Sequence, residues 1–145
     1  MNKRKNRDIT ELQFILNHVR YELDMLTIIA AALTSGIAGK SPLNNSLIES
    51  FAIHVRNLID FLWPNNPSND NVIADDFFND KTIWLNIKPQ ITGNLNKARL
   101  RAHKEIAHIS YDRLKVRPEN KPWDFITITK EISYAMNLFF NSIPK

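Results

Sequence analysis

The stretch that decides the fold is "SLIESFAIHVRNLIDFLW", residues 46–63. Leu47, Ile48, Phe51, Val55, Leu58, Ile59 and Leu62 recur at three- and four-residue steps, which gathers them on one side of a helix. Pro64 disfavours helix in the residue before it, so the run stops at Trp63. Asn45 or Ser46 is the expected N-cap, since either side chain can accept a backbone N–H of the first turn.

The same period appears upstream. From Asp8 to about Ser35, the residues Ile9, Leu12, Ile15, Leu16, Val19, Leu23, Leu26, Ala30 and Leu33 form an apolar face. Asp8 is placed to cap the start, and Gly36 to close the end. Downstream, a third long helix is expected from Gly93 or Asn94 to Leu114, ended by "KVRPENKP". A fourth is expected from about Trp123 to Ser142, with Phe125, Ile128, Ile132, Ala135, Met136 and Phe139 inward. Residues 64–92 are dense in Pro, Asn and Asp with short apolar islands, and read as an irregular connection holding one short helix. Four amphipathic segments and almost no alternating pattern predict an all-α fold, a four-helix bundle whose second and third helices are joined by a long crossover.

Composition sets the outer limits. A chain of 145 residues that is 43% hydrophobic and 23% charged has the profile of one ordinary globular domain spanning 1–145. There is no cysteine, which excludes disulfides and thiolate metal sites, and a cytoplasmic location is the expectation. Residues 1–7 are read as a basic flexible N-terminus, and the acidic and basic residues that follow do not make a secretion signal. The apolar run at 25–34 is too short for a membrane span, so no membrane partner is expected. The net charge of +4 suits contact with a polyanion such as RNA. Only three glycines are present, and neither a phosphate-binding loop, a dinucleotide fingerprint nor a Gly-x-Ser-x-Gly elbow occurs. Trp63, Trp84 and Trp123 read as anchors of the bundle and its loops.

Chemistry is concentrated in "RAHKEIAHIS", residues 101–110. Seven residues nearly complete two α-helical turns, so Arg101 and His108 fall within about 20° of each other. Lys104 and Glu105 flank them, and Tyr111 is expected to face the core one turn below. His103 falls on the opposite sector. Two further polar lines lie within apolar surroundings: Glu49, Arg56 and Asp60 on the second helix, and Glu11, His18 and Glu22 on the first. Charges in such places need partners. Three lines that faced one another would supply them and would form a cluster able to take a phosphate.

The run Arg101-Ala-His-Lys-Glu-Ile-Ala-His108 resembles the HEPN family, all-helical domains marked by an Arg, four to six further residues and a His on a late helix. The resemblance implies a homodimer whose composite site cleaves RNA without a metal or other cofactor. It implies that Arg101 stabilises the scissile phosphate while His108 acts as general acid or base during attack by the ribose 2′-hydroxyl. Lys104, Arg56, Glu49 and Asp60 would support phosphate binding, and Glu105 would orient Arg101. The family often carries a polar residue directly after the Arg; here that position is Ala102.

Two other readings fit the same residues. Glu105 and His108 form a Glu-x-x-His pair of the kind found in carboxylate-bridged metal bundles, with Glu22, Glu49, Asp60 and His18 as further donors. Alternatively, the polar lines fix a non-catalytic dimerisation or interaction module.

Overall fold

The computed structural model describes residues 7–106, 109, 111–115 and 122–144. The chain is an all-helical bundle, with no strand among the described residues. Helix α1, Ile9–Ser35, begins at a capping box in which the Asp8 side chain accepts from the first turn and Glu11 reaches back to the Asp8 N–H. It ends at Gly36, whose φ of 69° is the left-handed cap that glycine adopts without a Cβ penalty.

Helix α2, Pro42–Leu62, starts earlier than Asn45 or Ser46. Ser41 is the cap, accepting from the Asn44 N–H, and Pro42 occupies the first helical position, where its missing N–H has no intrahelical acceptor to lose. Its end at Trp63 follows the expectation set by Pro64. Phe51, Ala52, Val55, Leu58, Ile59 and Leu62 are buried along it, making α2 the central helix, in contact with α1, α4 and α5.

The connection after α2 carries a 3-10 turn, Ala74–Phe77, and a short helix α3, Lys81–Ile87. Aromatic packing ties it down. Phe139 of α5 meets Phe61 at 5.0 Å, Phe77 at 5.3 Å and Trp84 at 5.7 Å between ring centres, all edge to face, an arrangement favoured by the ring quadrupoles.

The expected third long helix is broken. Helix α4, Gly93–Arg101, is capped by Thr92 and gives way to a π-helical turn, Ala102–Ile106. A 3-10 turn follows at Tyr111–Lys115. Tyr111 is 87% exposed rather than core-facing. A position extrapolated at 3.6 residues per turn loses its meaning once the ladder changes to i→i+5 bonding. Helix α5, Phe125–Ser142, is capped by Asp124 and buries Ile128, Ile132, Ala135, Met136 and Phe139.

No helix among the described residues is long and apolar enough to cross a membrane.

Candidate functional site

Arg101 sits where α4 passes into the π turn, and contacts with Glu105, Pro122 and Trp123 hold its guanidinium. Glu105, four residues on, accepts from Nε at 3.1 Å and from the terminal nitrogen at 3.2 Å. The Pro122 carbonyl accepts from the other terminal nitrogen at 3.1 Å. The cation also lies 4.2 Å from the centre of the Trp123 ring, within range of a cation–π attraction. Arg101 and Glu105 side chains are only 22% and 20% exposed. This ion pair therefore works in a less screened setting than a surface pair.

Lys104 and His103 are exposed on the π turn. His108 lies outside the described residues. The shared face inferred for Arg101 and His108 assumed an unbroken α-helix, and the π turn at Ala102–Ile106 removes that premise.

The polar line on α2 finds its own partners. Asp60 stands between two guanidinium groups, 3.6 Å from Arg56 and 3.9 Å from Arg99. Arg99 also donates to the Trp63 carbonyl and the Asn96 side-chain oxygen, both at 3.0 Å, which ties α4 to the C-terminus of α2. Glu49 is exposed, about three turns before Asp60 on the same helix.

The line on α1 is divided as well. Glu11 serves the α1 capping box, and His18 is exposed. Glu22 reaches α2, where it lies 2.7 Å from His54 Nδ1 and accepts from Asn57 Nδ2 at 3.1 Å. His54 is 8% exposed and packs edge-on against Tyr21.

The three polar lines thus form three separate nodes: Arg101–Glu105, Arg56–Asp60–Arg99, and Glu22–His54–Asn57. Among the described residues no group of three or more His, Asp or Glu is arranged to hold a metal ion. His54, Asn57, Arg99 and Trp123 also take part, and helical spacing of the polar lines did not point to them. His54 carried a signal, because it sits one residue from Val55 on the flank of the apolar stripe. Trp123 carried none, because its place over Arg101 joins residues far apart in the chain.

Threonine donors settle two acidic caps. The Thr127 N–H, helped by the Thr127 side chain, holds the Asp124 carboxyl below the usual carboxylate value. The Thr82 side chain and then its N–H do the same for Asp80. Both caps fix helix starts.

No protein-family model matches the chain, and neither a curated protein nor a solved structure matches it.

Proposed function

We propose that this chain is a HEPN-like helical domain that binds RNA, and that Arg101 and His108 form a metal-independent cleaving pair within it. The observation that supports this most is the fixed guanidinium of Arg101, held by Glu105 and Trp123 at the head of a π turn. π turns are found frequently at functional sites, and a pre-oriented planar cation suits phosphate oxygens. The surrounding segment, residues 93–106, carries Lys97, Arg99, Arg101 and Lys104 against the single carboxylate of Glu105.

In this reading Arg101 stabilises charge on the phosphate as the ribose 2′-hydroxyl attacks. The hydroxyl proton passes to a general base and the departing 5′-oxygen receives one from a general acid, the roles open to His108. The products are a 2′,3′-cyclic phosphate and a free 5′-hydroxyl. Lys104, Arg56, Glu49 and Asp60 belong to the phosphate-binding surroundings, and two copies of the chain act together in a cytoplasmic setting.

Cleavage of mixed RNA in excess chelator, by the protein and by its His108→Ala and Arg101→Ala variants, tests the proposal. The expected result is cleavage that survives chelation and falls by about 100-fold or more in each variant, with melting curves showing that both remain folded. Activity unchanged in the variants, or none in the parent protein, overturns it.

A specific observation favours a second reading, that of a non-catalytic interaction module. Phe14, Tyr21 and Ile28 on α1 are 70%, 55% and 62% exposed. Their seven-residue spacing forms an apolar strip about 21 Å long on one side of the helix.

A further inference from the structure

The contacts that orient Arg101 also cover it. Glu105 takes one edge of the guanidinium at two points, Nε to Oε1 at 3.1 Å and a terminal nitrogen to Oε2 at 3.2 Å. The Pro122 carbonyl takes the other terminal nitrogen at 3.1 Å, and the centre of the Trp123 ring lies 4.2 Å from the central carbon. Arg56 and Arg99 are held far more loosely by their shared carboxylate, approaching Asp60 no nearer than 3.6 and 3.9 Å.

A carboxylate and a phosphate recognise the same feature of arginine, two parallel N–H groups aimed at two oxygens. The Nε edge of Arg101 is such a fork, and Glu105 fills it. An oxyanion reaches that fork only when the carboxylate has left. Leaving needs no change of backbone, because the glutamate head turns on its own side-chain bonds. The two side chains are 22% and 20% exposed, so water is near enough to receive the carboxylate. Pro122 and Trp123 touch Arg101 independently of Glu105 and keep the cation in place. A tethered carboxylate also competes at an effective concentration that a lone anion in solution does not reach. A chain of phosphates overcomes this by engaging several cations at once, and Lys97 and Lys104 stand exposed on the same segment.

We infer that Glu105 is an internal latch: its carboxylate occupies the phosphate fork of Arg101 in the resting protein, holds single anions off and yields to a polyanion. That the polyanion is RNA rests on the function proposed above, whereas the competition for Arg101 does not.

The test measures binding of a labelled single-stranded RNA, and separately of inorganic phosphate, to the full chain and to its Glu105→Gln, Glu105→Asp and Glu105→Gln/Arg101→Ala variants, with melting curves for each. Glu105→Gln removes the charge and keeps the size; Glu105→Asp keeps the charge on a shorter arm. A latch closed in about nine molecules of ten lowers apparent affinity about ten-fold. Glu105→Gln should therefore bind both probes about ten-fold more tightly than the parent, Glu105→Asp should fall between them, and the gain should vanish in the double variant. If Glu105→Gln melts early, Glu105→Asp decides: an affinity above the parent's supports the latch, and an equal one overturns it. A gain with phosphate, without RNA binding by any form, supports the latch and counts against the RNA-binding function. RNA bound equally or more weakly by folded Glu105→Gln, or a gain that persists without Arg101, overturns the latch and leaves the RNA reading standing. Absence of binding of either probe by every form overturns both.

Discussion

The Arg101 guanidinium lies 4.2 Å from the centre of the Trp123 ring, joining the end of α4 to the residue just before the Asp124 cap of α5. Trp123 is 8% exposed and also meets Phe51 of α2 edge to face, at 6.0 Å between centres. One indole thus serves as a core side chain on one face and as a platform for a cation on another. Trp123→Ala should lower unfolding stability by about 3–5 kcal/mol, the usual range for removing a buried aromatic. Trp123→Phe, which keeps a ring under the guanidinium, should lose clearly less. Urea denaturation of the two variants separates the outcomes; equal losses would count against the stacking contact.

Glu22 and His54 tie α1 to α2 through a 2.7 Å contact whose side chains are 26% and 10% exposed. His54→Ala leaves the carboxylate with Asn57 as its remaining partner on α2. A loss of about 1–3 kcal/mol is expected, the range for leaving a largely buried polar group underbonded. A double-mutant cycle with Glu22→Ala should return a coupling of about 0.5 kcal/mol or more, as contacting residues do. Strict additivity in that cycle would mean that the contact contributes nothing to the packing of the two helices.

Asp124 supplies a pH-dependent increment to α5. Its folded carboxyl lies below the ordinary value of 3.8 because Thr127 donates to the charged form, first through its backbone N–H. The stabilisation is therefore present above pH 3.8 and is lost as pH falls through the lower folded value. Asp124→Ala should melt below the parent protein at neutral pH, and the gap should close as pH falls below about 4. Thermal melts across that window provide the check, and a gap that is constant with pH would show that the cap acts without its charge.

The exposed strip of Phe14, Tyr21 and Ile28 can be altered without touching the core. Phe14→Gln together with Ile28→Gln should change stability by no more than about 0.5 kcal/mol per site. If α1 is an association surface, the same double variant should elute later in size-exclusion chromatography than the parent at matched concentration. Identical elution with a retained fold would remove the support that this strip lends to an interaction module.

Most of the helical content could be read from local pattern. Apolar residues at three- and four-residue steps mark α1, α2 and α5 because burial of one side is what a helix in a bundle requires. The Asp8 and Gly36 caps could be read because capping depends on neighbours within one turn. The start of α2 at Ser41 and Pro42 also had its local signal, a hydroxyl directly before a proline at the first helical position. The candidate site was legible only in part. The pairing of Arg101 with Glu105 follows from their four-residue spacing. The break of α4 at Arg101, the Trp123 platform and the separation of the three polar lines were decided by tertiary structure. Their partners lie 21 to 36 residues apart in the chain: Pro122 for Arg101, His54 for Glu22 and Trp63 for Arg99. Helical period determines which side chains share a face, but where two faces meet depends on how volume fills the core between helices, and so on every packed residue together.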